Sequence, residues 1–241
     1  MNDTFTFNGT SSSAYGTYLA DYNQFDGPQR DITLTDIPGR SGSIAIDNNR
    51  YNNYILTYSA YMRTASGYPN ELRSNMMGLK QLLLTGGLYK RLSDTFNTGV
   101  YRMALFQGPF TVLKSDHNSA VFSVNFQCKP QLFLTTGDDA ISYTAAGTIT
   151  NPTDFPSKPL LRIYGTGNLT IGTGVITINS SDGLYTDIDC DTMEAYYGSV
   201  SCNGNITLQG YSFPTLAPGL NNISWTGSIT RVDVTPRWWI L

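Results

Sequence analysis

The sequence predicts a mainly β fold in two domains, the first of which contains one α-helix. Residues 122–129 alternate apolar and polar side chains and precede Pro130, which is typical of a half-buried strand that ends a domain. Residues 72–83 carry apolar side chains at helical spacing. After residue 160, turn residues recur about every eight to twelve positions without a helical pattern, which favours a β-sandwich.

The composition favours a surface that contacts other proteins. Charged residues make up 14% of the chain, against about 25% in an average soluble domain, and there are 16 tyrosines. Tyrosine gives a large contact area at low entropic cost, although all-β proteins are also rich in it. The 15 basic residues are scattered and the net charge is −3, so nucleic-acid recognition is not indicated. No apolar run approaches the roughly 18 residues that membrane insertion requires, and no secretory signal is apparent.

The strands predicted before the helix are bounded by glycine, proline and asparagine: residues 4–9, a strand near Tyr18 in a polar loop over 11–31, residues 43–46 and residues 54–62. Two turns separate them. In residues 36–42, Pro38 presets φ and Gly39 supplies the positive φ that a type II turn needs next. Residues 47–49 are predicted to form a second turn.

One α-helix is predicted over about residues 70–85. Asn70 is placed as its N-cap, and Glu71 lies in the first turn, where the helix dipole favours a negative charge. Its apolar stripe is expected to pack on the sheet and consists of Leu72, Met76, Leu79 and Leu83. Gly86 and Gly87 provide the stop.

The strands that follow alternate or are bounded by turn residues. Those predicted in the first domain are residues 88–92, 100–106, 110–113 and 120–129, the last two joined by a turn at 115–118. Residues 131–159, rich in Ala, Gly, Thr and Pro, are predicted to be the joint between domains. Those predicted in the second domain are residues 160–164, 168–171, 175–178, 184–189, 206–209, 222–225 and 229–234.

The residue types suggest no catalytic centre, metal site or cofactor site. His117 is the single histidine and lies in a predicted turn, where a solvated side chain is favoured over a general base. Acidic residues are clustered at Asp182, Asp187, Asp189, Asp191 and Glu194. They are interpreted either as a calcium or carboxylate-pair site or as ordinary polar positions around a strand, and the second interpretation is favoured.

The cysteines and tryptophans leave alternatives open. Cys128 is expected in the core, whereas Cys190 and Cys202 either pair across a turn or remain reduced thiols, as a chain folded in a cytosol favours. The three tryptophans are Trp225, Trp238 and Trp239. They could form a platform on which a sugar stacks, anchor a neighbouring chain or lie in the core, and at least one is expected in the core.

Several motifs, taken in order, resemble the distal tail proteins of phages with long, non-contractile tails, especially those of Gram-positive hosts. In the first half, the resemblance is carried by residues 5–13, 37–42 and 126–130. In the second half, it is carried by residues 159–167, 187–190, 213–216 and 218–227. The resemblance implies an N-terminal β-sandwich or split-barrel domain with one helix over residues 1–133. It also implies a galectin-like C-terminal β-sandwich over residues 134–241.

The resemblance also implies a function. Such a chain would be a non-enzymatic virion protein that forms a homohexameric ring at the distal end of the tail. The ring would link the tail tube protein to tail-tip, tail-fibre or receptor-binding proteins, and DNA would pass through its channel without being recognised. The protein would be made and folded in the host cytoplasm and would reside in the phage tail tip.

A ring requires two different, complementary patches on each protomer. We expect Phe5, Phe7, Pro38, Gly39 and Arg40 to contribute to these contacts, because they lie early in the chain in an irregular context that does not suggest core. The alternative function is a carbohydrate-binding module that recognises a host cell-wall or surface glycan through the C-terminal β-sandwich. An exposed aromatic row over a groove would favour that alternative.

Overall fold

The computed structural model describes residues 2–20, 27–64 and 69–241, which form a mainly β structure with one α-helix, as predicted. Residues 1, 21–26 and 65–68 lie outside the described residues, and with them part of the predicted polar loop. The chain divides into two compact units, Met1–Leu132 together with Leu241, and Phe133–Ile240.

The first unit is built on one large sheet and a separate hairpin. Its strands are β1 (Phe5–Phe7), β2 (Thr10–Ser11), β3 (Thr17–Leu19), β4 (Arg30–Asp36), β5 (Ser43–Tyr51), β6 (Tyr54–Arg63), β7 (Lys90–Asp94), β8 (Val100–Phe106), β9 (Thr111–Ser115) and β10 (Ser119–Leu134). The large sheet has the order β2-β1-β7-β8-β10-β6-β3, with β9 also paired to β10, whereas β4 and β5 pair with each other. A 3-10 turn covers Ser12–Tyr15, and helix α1 covers Pro69–Leu84.

The core of the first unit is a cluster of aromatic side chains. The Phe5 ring stacks on Tyr58 with centroids 5.6 Å apart, and it meets Phe126 edge-on at 5.7 Å. Leu79 and Leu83 of α1 are buried in the same cluster, which confirms that the apolar stripe of the helix packs on the sheet.

Three local predictions in this unit are wrong. Asn70 lies inside the first turn of α1 and is not its N-cap. The predicted turn at residues 47–49 lies within β5. Its residues form a bulge opposite Asp31, and Asn49 adopts a positive φ of 55° there. Pro130 does not end β10, which continues to Leu134.

The second unit contains two sheets that enclose one apolar core. Its strands are β11 (Ile141–Tyr143), β12 (Gly147–Asn151), β13 (Leu160–Tyr164), β14 (Gly167–Ile171), β15 (Gly174–Ile178), β16 (Thr186–Asp189), β17 (Glu194–Tyr197), β18 (Val200–Ser201), β19 (Ile206–Leu208), β20 (Gly219–Trp225), β21 (Arg231–Thr235) and β22 (Trp239–Ile240). The sheet orders are β11-β21-β13-β16-β17-β18 and β12-β20-β14-β15-β19. Short 3-10 turns lie at Thr135–Gly137, Asn203–Asn205 and Gln209–Tyr211. Inward residues of both sheets, such as Leu161, Ile171 and Val232, are buried together, as in the predicted β-sandwich.

The interpretation of residues 131–159 as a joint is wrong. Strands β11 and β12 lie within this range, and Ile149 of β12 is buried in the core. Asn151, at the end of β12, donates hydrogen bonds to the carbonyl oxygens of Phe155 and Leu216 at 2.8 and 3.0 Å. These long-range bonds give a loop-like sequence a fixed position.

Candidate assembly surface

The hairpin β4–β5 of the first unit is exposed along nearly its whole length. Its tip contains the predicted type II turn, in which the Arg40 N–H donates to the Ile37 carbonyl at 3.1 Å and Gly39 has a φ of 80°. The Ser43 hydroxyl donates to the Asp36 carboxylate at 2.6 Å where the strands leave the turn. The strands therefore have a defined register up to the tip.

Ion pairs fix the base of the hairpin. The Arg50 guanidinium donates to Asp31 at 2.5 Å, and that bond, together with one from Asn48 at 3.1 Å, lowers the pKa of the Asp31 carboxyl. Arg30 forms an ion pair with Asp47 and lowers its pKa in the same way. These exposed pairs add little stability, so they order the hairpin without supplying a core.

Both faces of the hairpin carry exposed apolar side chains. Ile32 and Leu34 lie on one face, and Ile44 and Ile46 lie on the other, because Leu34 is opposite Ala45 while Ile44 is opposite Thr35. The four side chains are 41–68% exposed. A two-stranded sheet alone is marginally stable in water. A sheet with apolar side chains on both faces is usually covered by other structure on both faces. The hairpin therefore has the character of a segment that another protein surface covers.

A second surface with aromatic and apolar side chains lies on the outer side of the large sheet, where Lys114 of β9 borders it opposite Val121. Tyr18 is opposite Tyr61, and Tyr61 is opposite Val121, so the three form a lateral row across β3, β6 and β10. The two tyrosine rings are 5.7 Å apart, and Val121 is 41% exposed. We call this row the outer patch; it differs in shape and residue content from the hairpin.

The structure does not bring the five sequence-predicted contact residues together. Pro38, Gly39 and Arg40 are exposed at the hairpin tip. Phe5 and Phe7 are 0% and 1% exposed in the aromatic core, so the expectation that they lie outside the core is wrong. Their proposed part in protomer contacts stays a prediction, and their buried rings argue against it.

Sequence reasoning missed the apolar residues of the hairpin. The signal was present, because Ile32 and Leu34 precede the turn with period two and Ile44 and Ile46 follow it with the same period. The sequence interpretation misses the first strand because it assigns residues 32–35 to no element and residues 30–31 to the preceding loop.

Three residues of the acidic cluster predicted from the sequence form ion pairs. Asp187 pairs with Arg162, Asp189 with Arg237, and Asp191 with Lys158. Across the described ranges, no group of three or more His, Cys, Asp or Glu side chains is arranged to hold a metal ion. His117 lies exposed in the turn between β9 and β10, as predicted.

The other candidate residues of the sequence are resolved as follows. Cys128, Cys190 and Cys202 are buried free thiols, which confirms the reduced interpretation. Trp238 is buried in the core, which confirms that one tryptophan is a core residue. Trp239 stacks on Phe155 at 4.5 Å and donates from its indole N–H to the Pro156 carbonyl. The tryptophans therefore do not form the common exposed platform that the sugar-stacking alternative required.

The helix of this protein does not resemble a membrane span. Within residues 2–20, 27–64 and 69–241, no helix has the length and apolar character needed to cross a bilayer.

Comparison with known proteins gives the fold. No family model matches the chain, and no curated protein matches it significantly. Among solved structures, it is similar to SPP1 Dit (gp 19.1), described as a paradigm of the hub adsorption apparatus in phages that infect Gram-positive bacteria. The two share 13% sequence identity with a TM-score of 0.75, and the match covers 100% of each chain. The resemblance to phage distal tail proteins is thereby confirmed at the level of the fold.

Proposed function

We propose that this chain is a structural protein of a phage tail tip that assembles as a hexameric ring. The ring joins the tail tube to the tail-tip, tail-fibre or receptor-binding proteins and has no catalytic role. The observation that carries the proposal is the exposed hairpin β4–β5 in a chain with the fold of a phage hub protein over its whole length. The first domain builds the ring around a channel.

The hairpin supplies one of the two patches that a closed ring needs, and the outer patch of the next protomer supplies the other. The charged residues next to the apolar side chains of the hairpin, Arg30 and Asp47, pair with each other, whereas Lys114 lies opposite Val121 at the border of the outer patch. One face of the hairpin then lies against the neighbouring sheet. The other face remains available to a second protein layer of the tail.

The expected strength of one contact is modest. One contact covers the two apolar side chains of one hairpin face, which are on average about half exposed, so covering them contributes roughly 1.5–3 kcal/mol at about 1.5–3 kcal/mol for each fully buried side chain. Association costs about 4 kcal/mol or more in lost freedom of motion. A single contact is therefore weak, whereas ring closure adds a contact without the cost of bringing in another chain.

The test is the mass and shape of the purified protein, measured by native mass spectrometry and negative-stain imaging. Six chains of 26.5 kDa give a ring of about 159 kDa. The variant Leu34→Asp is expected to abolish the ring, whereas Leu220→Asp serves as the matched control, because both leucines are 68% exposed and only the first lies on the hairpin.

If the protein is monomeric alone, the same variants are compared for incorporation into tails. Loss of incorporation in Leu34→Asp but not in Leu220→Asp supports the proposal. A virion stoichiometry incompatible with sixfold symmetry would overturn the hexamer, and equal assembly of both variants would overturn the role of the hairpin.

A further inference from the structure

The outer face of the six-stranded sheet in the second unit carries a continuous row of polar side chains. Successive strand pairings place these residues side by side, one from each strand: Ser142, Asp233, Arg162, Asp187, Tyr196 and Ser201. Their strand neighbours Ile163 and Ile188 point into the core, so the row faces outward. Polar groups from strands distant in sequence are thus aligned across one surface.

Arg162 is held rigidly within this row. Its guanidinium donates to both oxygens of Asp187 at 2.7 and 2.9 Å and stacks on the Tyr185 ring at 4.1 Å. The Arg162 side chain is 42% exposed while that of Asp187 is 6% exposed, so the cation lies above its carboxylate. Arg162 Nη1 has no hydrogen-bond partner among the described residues, which leaves a preorganised donor at the surface.

Aromatic side chains flank the row. Tyr185 lies 5.9 Å from Tyr164 and 4.9 Å from Tyr197, measured between ring centroids. Arg231 stacks on Tyr164 at 4.1 Å. These contacts restrict the rotamers of the aromatic and cationic side chains before any ligand arrives, which lowers the entropic cost of binding.

The row ends in an open recess of about 330 Å³, lined by Glu194, Ala195, Tyr196, Gly198, Ser199 and Ser201. Gly198 is exposed in the turn between β17 and β18, and no atom lies within 4 Å of where a Cβ would stand, so the recess is open on this side. The side-chain oxygens of Glu194, Tyr196, Ser199 and Ser201 form no hydrogen bond within the described part of the chain. The recess therefore presents a carboxylate, three hydroxyl groups and an aromatic ring that have no internal partner.

We propose that this recess binds one residue of an uncharged saccharide, whose next residue reaches toward Arg162 two strands along the row. Hydroxyl groups of a sugar both donate and accept, and so match Ser199 and Ser201, while Glu194 accepts and Arg162 donates. The volume lies at the lower end of the range for small-molecule pockets, about 300–1,000 Å³. Arg162 is already neutralised by Asp187, so Glu194 provides the only uncompensated charge of the site within the described residues, and this disfavours an anionic ligand.

The state of Tyr196 agrees with this assignment. Partial burial, followed by the carboxylates of Asp187 and Asp189, raises the pKa of its phenol. Tyrosine hydroxyls are protonated at neutral pH even without such a shift, so the Tyr196 hydroxyl can donate. A protein partner fits less well, because binding hot spots lie in desolvated apolar pockets, and this recess is open to solvent with as much polar as apolar lining.

The test is saturation-transfer NMR on the full chain with glucose, galactose, N-acetylglucosamine and their β-linked disaccharides at about 10 mM, the range of weak single-site binding. At least one neutral sugar is expected to receive saturation. The double variant Glu194→Ala/Ser199→Ala is expected to raise Kd at least about tenfold. The matched control Thr170→Ala/Ser224→Ala removes exposed hydroxyls from the other sheet of the same sandwich and is expected to leave Kd unchanged.

Three results would overturn the assignment: no saturation of any neutral sugar by the folded protein, equal binding by the double variant, or binding confined to charged probes such as glucuronic acid. Protection of the recess by a copurified protein in hydrogen exchange would also overturn it. The measurement does not depend on ring formation, so it can fail while the assembly proposal stands.

Discussion

Replacing Asp94 by alanine removes the centre of a buried polar network in the first unit. One carboxylate oxygen accepts from the Tyr58 hydroxyl at 2.8 Å and from Arg102 Nη1 at 3.3 Å. The other accepts from the backbone and side-chain N–H groups of Asn97 at 2.7 and 3.1 Å. The Asp94 and Arg102 side chains are 0% and 5% exposed. The variant therefore leaves a buried guanidinium without its counter-charge, and we expect a loss of about 3–5 kcal/mol in the free energy of unfolding.

Hydrogen exchange of backbone amides in β6, β8 and β10, followed by mass spectrometry, reports this loss in the first unit itself. The double variant Asp94→Leu/Arg102→Met removes both charges and is expected to lose less than the single variant. The exposed pair Lys158–Asp191, with both side chains 53% exposed, gives the control: Asp191→Ala should cost at most about 1 kcal/mol in the second unit. A loss below about 1 kcal/mol for Asp94→Ala would refute the reasoning, since it would mean that Arg102 is not desolvated.

Three further outcomes are expected. Burial raises the pKa of Asp189, but the hydrogen bonds and charge of Arg237 outweigh it, so the folded pKa is lowered. The stability that Asp189 contributes relative to Asp189→Asn is thus present above about pH 4 and lost as pH falls through the folded pKa. Urea unfolding followed by tryptophan fluorescence at pH 6 and pH 3 checks this. An equal difference in unfolding free energy between the two proteins at both pH values would contradict it. Burial raises the thiol pKa of Cys128 and of Cys190 to about 12. Iodoacetamide at pH 8 should therefore alkylate neither thiol until the chain unfolds, as measured by mass spectrometry. Rapid labelling of the folded chain would be evidence against burial. Gly39→Ala forces a φ of 80° on a residue with a Cβ and should destabilise the hairpin tip by about 1 kcal/mol, seen as faster amide exchange there, with Gly39→Asn closer to wild type.

The elements with strong local signals could be predicted from the sequence. The apolar stripe of α1 and the glycine-bounded pair β14–β15 depend on neighbours within a few positions, so local spacing identifies them. The same holds for the tip of the hairpin, where Pro38 and Gly39 determine the turn type.

The remaining features depend on contacts between distant residues. Phe5 and Phe7 belong to a three-residue strand, and their burial follows from pairing with residues 92–94, which local alternation cannot reveal. The polar row of the second unit joins six strands spread from Ser142 to Asp233, so only the register of the whole sheet brings its members together. The Asn49 bulge has a turn-like composition within a continuous strand, which explains the wrong assignment there.

The contact between Phe5 and Phe126 has a consequence for biosynthesis. The two rings lie 5.7 Å apart but are separated by half of the chain. A ribosome that adds about 5–20 residues per second needs roughly 6–24 s to travel between them. During this interval the apolar side chains of Phe5 and Phe7 in the nascent chain lack their final neighbours. We therefore expect the growing chain to be a substrate of holdase chaperones near the ribosomal exit tunnel.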